Sequence, residues 1–243
     1  MRAIETKQLT KKYKDKTAVN GIDLSINEGE LFSLLGVNGA GKTTTIRMLS
    51  CLSEPTSGEA YIKGHSVVSE KSKIKRIIGI SPQDTAVAEK LTVRENLEFM
   101  AQVHDIGRDG IKQRADEISE MFGLGEAEKT RAGTLSGGWK RKLSIAMALI
   151  GKPEILFLDE PTLGLDVLAR RELWKVIGRL KGSITVILTT HYMEEAEELS
   201  DKIAIMINGN IAANGTLSEI EETAGKKGLE NAFVEIAERN MKK

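Results

Sequence analysis

The chain contains 243 residues, of which 35 are basic and 35 acidic, so the formal net charge at neutral pH is zero. Forty per cent of the residues are hydrophobic and 29% are charged, which is typical of a globular protein with enough chain for a sizeable core. This balance gives no indication of nucleic-acid binding, and no apolar run in the sequence approaches the ~18 residues of a membrane-spanning helix.

The cysteine content and the first residues indicate a reducing compartment. Cys51 is the single cysteine, so the sequence supports neither a disulfide framework nor a cysteine-based metal site. We expect Cys51 to be a buried structural thiol on the helix that follows residue 41. Residues 1–5 lack the apolar segment of a signal peptide, and we therefore expect a cytoplasmic protein.

The first 30 residues are predicted to form strands and turns. Ile22, Leu24 and Ile26 alternate with polar residues, which indicates a half-buried strand. The charged run 11–16 contains Tyr13. We interpret this run either as a solvated loop with a tyrosine on its rim or as the support of an aromatic ring that stacks on adenine. Further strands are predicted over residues 60–63 and 76–80.

The strongest motif follows a continuous apolar run, Leu31–Leu35, which predicts a fully buried strand. The run leads directly into Gly36-x-x-x-x-Gly41-Lys42-Thr43. Apolar residues at helical spacing follow: Ile46, Leu49 and Leu52. Strand, glycine-rich loop and helix form the context of a phosphate-binding P-loop, which argues against a chance match. Backbone N–H groups of such a loop surround phosphate oxygens, Lys42 can reach the β- and γ-phosphates, and the Thr43 hydroxyl can ligate Mg²⁺.

Residues 84–150 are predicted to form a helical insertion between strands. A break at residues 81–83 precedes it, and Thr92 with Glu95 forms a capping box at the start of an amphipathic pattern. Gly107 and Gly110 are expected in the connection to a second amphipathic helix.

Another helix is predicted to begin at Leu135-Ser136-Gly137-Gly138. Ser136 is a good N-cap residue, so this stretch can be simple cap chemistry. Alternatively, the exposed N–H groups of a second glycine-rich helix start form a second anion site. Residue types alone leave both interpretations open.

Polar groups follow two more continuous apolar strands. The strand 155–158 ends in Asp159 and Glu160, and the strand 184–188 leads through two threonines to His191. In α/β proteins the carboxyl ends of buried strands carry the chemistry. The sequence therefore predicts an α/β protein with three buried strands that each end in a candidate functional group.

The last 40 residues are predicted as a hairpin and two short helices. Asn208-Gly209 between two apolar segments indicates a type I′ turn. Thr216 and Glu219 form a second capping box.

The chain resembles the ATP-binding subunits of ABC transporters from Tyr13 to Ala237. The resemblance rests on motifs in the family order and spacing: the P-loop, an isolated Gln83, Leu-Ser-Gly-Gly, Ile-Leu-Phe-Leu-Asp-Glu-Pro-Thr, Gly-Leu-Asp and the strand-end His191. It implies a P-loop NTPase (RecA-like) core with a mostly parallel sheet, an N-terminal antiparallel β subdomain and an inserted α-helical subdomain. It also implies an ATPase with ATP and Mg²⁺ as cofactors.

The resemblance implies a role for each matched residue. Tyr13 would stack on adenine, and Gln83 would touch Mg²⁺ and the attacking water. Asp159 would hold Mg²⁺ together with the P-loop threonine. Glu160 would be the general base for attack on the γ-phosphate, which His191 would hydrogen-bond. The residues that would wrap the phosphates are Gly36, Asn38, Gly39, Ala40, Gly41, Lys42, Thr43 and Thr44.

The resemblance further implies that ATP is held between two subunits. Ser136, Gly137 and Gly138 would bind the ATP on the P-loop of a second ATP-binding subunit, identical or paralogous, and Asp166 would face that subunit. Closure on ATP would drive a separate transmembrane permease from its cytoplasmic side, without membrane insertion or nucleic-acid binding by this chain. Trp139 stands where glutamine is most frequent in the family, and we expect ATP binding in trans to survive that change.

The compact chain and its short tail resemble the ATPases of small export systems, whose substrates include drugs, antibiotics, ions and lipids. We expect an ABC-type ATP-binding domain over residues 1–220 and a short helical tail over 221–243. Two alternatives are a soluble ABC ATPase that remodels a macromolecular complex and a nucleotide sensor without turnover. The neutral charge argues against the first, and Glu160 with His191 argues against the second.

Overall fold

The computed structural model describes residues 1–241. The chain divides into two compact units, one formed by Met1–Arg76 with the segment from Lys181 onward and the other by Ile77–Leu180. The strands are β1 (Arg2–Tyr13), β2 (Lys16–Asn27), β3 (Leu31–Leu35), β4 (Ser57–Ile62), β5 (His65–Ser66), β6 (Ile78–Ser81), β7 (Ile155–Asp159), β8 (Thr185–Thr190), β9 (Lys202–Ile207) and β10 (Asn210–Gly215). The helices are α1 (Lys42–Leu49), α2 (Lys71–Ile77), α3 (Val93–Val103), α4 (Arg108–Phe122), α5 (Gly137–Leu149), α6 (Val167–Gly178), α7 (Met193–Leu199), α8 (Leu217–Ala224) and α9 (Leu229–Met241).

The first unit begins with an antiparallel sheet in the order β2-β1-β4-β5. Ile22, Leu24 and Ile26 are buried in β2, with exposed residues between them. Ile4 of β1 lies opposite Ile26, so the apolar side chains of both strands share one face. The predicted half-buried strand and the predicted N-terminal antiparallel sheet are confirmed.

The first unit also contains the strand that leads into the P-loop. β3 pairs in parallel with β8 and with β9, and every residue of β3 and β8 is buried. The β9–β10 hairpin turns through Asn208 and Gly209, both at positive φ, as a type I′ turn requires. Because β3 and β8 are parallel, the segments that follow them leave the sheet at the same edge.

The second unit contains β6 and β7, which pair in parallel and end with Ser81 beside Leu158. The helices predicted between these strands are present as α3, α4 and α5. Arg94 of α3 forms ion pairs with Asp116 of α4 and with Glu128, and so joins the helices at the surface. The inserted helical part predicted by the family resemblance is therefore confirmed as a set of packed helices.

Three local predictions were wrong. Arg76 and Ile77, predicted as strand, complete α2, because the charged run before them continues the helix. Leu52 lies beyond the end of α1 and is exposed. Gly110 lies inside the first turn of α4 and not in the connection before it.

Cys51 was also misplaced by sequence reasoning. It lies beyond α1, half-buried, and its backbone is left-handed with φ of +60°. Burial raises the pKa of its thiol, against the opposing effects of Lys75 and Lys71. A raised pKa keeps the thiol protonated, which agrees with the expected unreactive role.

The C-terminal part of the first unit packs α8 and α9 on the β9 side of the sheet, with Leu229 and Phe233 in the same apolar cluster as Ile205. The Thr216–Glu219 capping box is present at the start of α8. α7 was not predicted. No helix among residues 1–241 is long and apolar enough to cross a membrane.

Candidate active site

The P-loop joins β3 to α1 and is held by neighbouring backbone. Gly36 donates its N–H to the Thr190 carbonyl at the end of β8, with an N···O distance of 3.2 Å. Ala40 donates to the Val37 carbonyl at 3.1 Å, and its own carbonyl accepts from Gly209 N at 2.9 Å. The loop shape is therefore fixed by hydrogen bonds to a strand end and to the β9–β10 turn.

Two positions of this loop require glycine. A Cβ at Gly36 would overlap the carbonyl oxygen of Met206 on β9. Gly41 has φ of +110°, and a Cβ there would overlap the carbonyl oxygen of Ala18 and the Met206 side chain. Met206 and Gly209 thus shape the loop from the hairpin, a function that sequence reasoning did not assign to them.

We expect Gly36→Ala to lower the free energy of unfolding by about 2 kcal/mol, since overpacking displaces backbone rather than a flexible side chain. Its ATP affinity should fall as well, because the loop must move. Gly39→Ala is the matched control: Gly39 is exposed, and apart from its own chain neighbours no atom of residues 1–241 lies within 4 Å of a Cβ built there. Its φ of +82° alone should cost about 1 kcal/mol. Urea denaturation and ATP titration of both variants check this, and equal losses would contradict the overlap at Met206.

Lys42 opens α1 and folds back over the loop. Its ammonium donates to the Gly36 carbonyl at 2.7 Å and to the Val37 carbonyl at 3.3 Å, and the residue is only 5% exposed. Gly41, at the N-cap, offers no side chain to cap the first turn of the helix. A buried cation beside a helix N-terminus without a side-chain cap is an arrangement suited to anions.

His191 follows β8 and leaves the sheet at the same edge as the P-loop, because β3 and β8 are parallel. Its half-buried ring packs against Tyr192 with ring centroids 4.1 Å apart. Tyr13 ends β1, is 46% exposed, and has the Lys11 ammonium 5.1 Å from its ring centroid. The structure therefore brings His191 and the loop together, while the adenine-stacking role of Tyr13 stays a prediction.

In the second unit, Asp159 closes β7 and Glu160 follows it. Both residues are 5% exposed. Glu160 has φ of +48°, in the left-handed region that non-glycine residues rarely occupy. Backbone strain at a buried acidic residue is a feature that functional sites retain.

The guanidinium of Arg141 on α5 joins the segments that carry Gln83 and Asp159. It donates to the Gln83 carbonyl at 3.2 Å and to the Asp159 carbonyl at 2.6 Å, and the residue is 3% exposed. The sequence analysis assigned Arg141 no role, since three consecutive basic residues at 140–142 do not distinguish it from its neighbours. The available signal was its spacing of four residues from the buried Ile145, which places both on one helix face.

Residues 136–138 begin α5 beside an open cavity of about 400 Å³. Ser136 occupies the predicted N-cap position, but in the described part of the chain its side chain makes no capping hydrogen bond. Ser136 and Gly137 are exposed, so the first turn of α5 faces the cavity without a side-chain cap. The second anion site stays a prediction, now supported by an accessible helix start. The cavity is also lined by Gly138, Trp139, Lys142, Asp166, Ala169 and Glu172.

Trp139 of α5 is connected to α6 through Lys142. The Lys142 ammonium lies 5.3 Å from its ring centroid and 2.7 Å from a Glu172 carboxylate oxygen. That hydrogen bond lowers the pKa of Glu172. The indole therefore lies beside Lys142 and lines the same cavity as residues 136–138.

Asp166 is the N-cap of α6. Its Oδ1 accepts hydrogen bonds from Leu168 N at 2.9 Å and Ala169 N at 3.0 Å. These backbone hydrogen bonds, that of Ala169 above all, lower the pKa of the Asp166 carboxyl. Sequence reasoning assigned Asp166 to the ATP-binding residues that face a second subunit and missed the cap, although aspartate is a preferred N-cap residue.

The lowered pKa gives stability a pH dependence. A carboxyl with a depressed folded pKa stabilises the fold above its unfolded pKa of about 3.9, and this contribution is lost as the pH falls through the folded pKa. We expect the wild-type chain to lose more stability to urea between about pH 5 and about pH 3 than Asp166→Asn, which keeps a capping oxygen without the charge. Identical losses would remove the Asp166 carboxylate from this role.

Comparison with known proteins identifies the family. A family model described as ABC transporter matches residues 19–163. The chain is 42% identical over 229 residues to the daunorubicin/doxorubicin resistance ATP-binding protein DrrA of Streptomyces peucetius, covering 94% of this chain and 69% of that protein. It is 42% identical over 218 residues to the linearmycin resistance ATP-binding protein LnrL of Bacillus subtilis strain 168, covering 89% and 70%. The fold matches a dimeric post-hydrolysis structure of the ATP-binding cassette MJ0796 bound to ADP and Pi, with a TM-score of 0.80 and 29% identity over 88% of this chain and 98% of that one.

The chain therefore belongs to the ABC transporter family. It is an ATP-binding subunit with the P-loop NTPase fold, and its hydrolysis of ATP to ADP and phosphate is coupled to transport. Both relatives are named as resistance ATP-binding proteins, which does not favour an ABC ATPase that remodels a macromolecular complex.

Proposed function

We propose that this subunit drives the export of drug-like organic compounds through a separate transmembrane permease. The observation that carries the proposal is the 42% identity, over 94% and 89% of the chain, to two ATP-binding proteins named for drug and antibiotic resistance. The permease would select the compound, and this chain would supply the force from the cytoplasmic face of the membrane. Residues 84–150 would pass the motion to the permease as the inserted part of the domain 1–220, with 221–243 as a tail.

ATP would be held between this chain and a second ATP-binding subunit, identical or paralogous. The P-loop of one subunit would bind the phosphates, and residues 136–138 of the other would donate N–H groups to the same ATP. The exposed and uncapped start of α5 supports this role. Asp166, at the N-cap of α6 on the same cavity, would face the second subunit. Donors from both chains would offset the charge of the triphosphates and so couple ATP binding to closure.

Hydrolysis would use the side chains at the strand ends. Glu160 would accept a proton from water while the water oxygen bonds to the γ-phosphorus, and the bond from that phosphorus to the β–γ bridging oxygen breaks. Lys42 would offset the charge of the β- and γ-phosphates, and Gln83 would orient the attacking water. His191 would donate a hydrogen bond to the γ-phosphate and so report whether it is present.

The oxygen donors of the chain fit Mg²⁺. Thr43 offers a hydroxyl, Gln83 an amide oxygen and Asp159 a carboxylate, all of which are hard ligands. Within residues 1–241 no group of three or more His, Cys, Asp or Glu side chains could hold a metal by itself. When bound, Mg²⁺ neutralises charge that develops on the phosphate oxygens.

A chromosomal Glu160→Gln substitution in the native host tests the export proposal. We expect the cells to accumulate more daunorubicin, read by its fluorescence, because export without ATP hydrolysis should stop. Glu238→Gln, an exposed carboxylate on α9, is the matched control and should leave accumulation unchanged. Unchanged accumulation of daunorubicin and of a panel of organic antibiotics in Glu160→Gln cells would contradict drug export.

A further inference from the structure

The guanidinium of Arg141 donates hydrogen bonds to backbone carbonyls at or just after the ends of β6 and β7. Nε donates to the Pro161 carbonyl at 2.8 Å, and Nη2 to the Asp159 carbonyl at 2.6 Å. Nη1 donates to the Pro82 carbonyl at 2.5 Å and to the Gln83 carbonyl at 3.2 Å. All three guanidinium nitrogens are therefore engaged with carbonyl oxygens, and the residue is 3% exposed.

The four carbonyls bracket the proposed catalytic side chains. The accepting groups of Asp159 and Pro161 lie on either side of Glu160 in sequence, and one of the others belongs to Gln83 itself. Glu160 adopts a strained φ of +48°, which persists only where the surrounding structure holds it. A planar guanidinium with fixed donor directions can hold several carbonyls in one geometry, which a flexible ammonium cannot.

Because Arg141 lies on α5, its hydrogen bonds also connect the backbone around Glu160 and Gln83 to that helix. The same helix begins at Gly137, after the N-cap Ser136, and both of these exposed residues line the cavity. Arg141 lies less than two turns further along the helix. A displacement of the helix start would therefore reach the segments of Glu160 and Gln83 directly through one side chain.

We propose that Arg141 is a positioning residue for ATP hydrolysis. It fixes the backbone around Glu160 and Gln83 relative to the start of α5. The general base Glu160 therefore keeps its catalytic position only when α5 keeps its own. This inference rests on the roles proposed above for Glu160 and Gln83. It concerns the rate of the chemical step and not the binding of ATP, because the P-loop is held by its own hydrogen bonds to the end of β8 and to the β9–β10 turn.

The chain offers a close control for a merely structural effect. The guanidinium of Arg114 on α4 also binds backbone carbonyls: it donates to the Leu149 carbonyl at 2.6 Å and to the Ile150 carbonyl at 2.9 Å. These carbonyls lie at the opposite end of α5 from residues 136–138. Loss of Arg114 removes a comparable set of hydrogen bonds but leaves the strand ends untouched.

The experiment compares Arg141→Met, Arg141→Lys and Arg114→Met as full-length purified chains. For each variant we would measure kcat for phosphate release, the dissociation constant for MgATP, and the folded fraction by urea denaturation. We expect Arg141→Met to lose about 30-fold or more in kcat per folded molecule, with MgATP affinity within about threefold of wild type. Arg114→Met should keep kcat within about twofold.

Arg141→Lys keeps the positive charge but loses the planar guanidinium with its several donors. It also provides the test if Arg141→Met does not fold. It should still lose about tenfold in kcat, since one ammonium cannot hold four carbonyls. A wild-type kcat in Arg141→Lys, or equal kcat per folded molecule in Arg141→Met and Arg114→Met, would overturn the proposal. An incorrect assignment of Glu160 as the general base is detected separately, because Glu160→Gln would then retain turnover whatever the kcat values of the Arg141 variants.

Discussion

Glu160→Gln should lower the steady-state rate of ATP hydrolysis by about 10³-fold, the range of a lost general base. The amide has the shape of the carboxylate but cannot accept the proton of the attacking water. The dissociation constant for MgATP should stay within about threefold of wild type, because the substitution removes no contact proposed to hold the nucleotide. Phosphate release and titration calorimetry measure the two quantities on the same preparation.

Glu154→Gln is the control for this prediction. Glu154 is exposed and directly precedes the first residue of β7, whereas Glu160 follows the last one. It therefore tests whether any glutamate near this strand affects turnover. Its rate should match wild type. Turnover by Glu160→Gln at the parent rate would remove Glu160 from the position of general base.

Lys42→Ala is expected to weaken MgATP binding by roughly 10- to 100-fold, the value of one lost hydrogen bond to a charged group. The ammonium already lies within the P-loop, 2.7 Å from the Gly36 carbonyl, so little rearrangement is needed to meet a phosphate. Removing it also leaves that carbonyl without this donor. The affinity is measured by titration calorimetry with MgATP.

The control for Lys42→Ala is Lys71→Ala, which removes a lysine paired with Glu54 at the surface of the same unit. Surface ion pairs contribute little, so both stability and affinity should stay near wild type. An unchanged dissociation constant in Lys42→Ala would show that the P-loop binds the triphosphate through its backbone alone.

The strands that carry the site could be predicted because their patterns are unambiguous. β3, β7 and β8 are buried on both faces, and such strands appear in the sequence as continuous apolar runs. The P-loop was predicted from the same sequence because its glycines, lysine and threonine follow the first of these runs. The β9–β10 turn followed from Asn208-Gly209, whose residues accept positive φ.

Other features depend on contacts between distant segments and leave little trace in a local pattern. Met206 presses against the P-loop from β9, and Arg141 reaches carbonyls more than 50 residues earlier in the chain. The left-handed backbone of Cys51 ends the helical pattern two residues after α1, although the flanking apolar residues suggest continuation. The positive φ of Glu160 is equally invisible, because propensity disfavours it and only the fold imposes it.

The most direct test of the account is to isolate tagged Glu160→Gln protein from detergent-solubilised native membranes in the presence of ATP, and to identify what remains bound. The arrested subunit should stay closed on ATP and retain its transport partner. We predict a polytopic membrane protein in the isolated complex, whose identity would also narrow the transported compound. Recovery of soluble proteins, ribosomes or DNA alone would contradict coupling to a permease, while leaving the nucleotide chemistry of the chain intact.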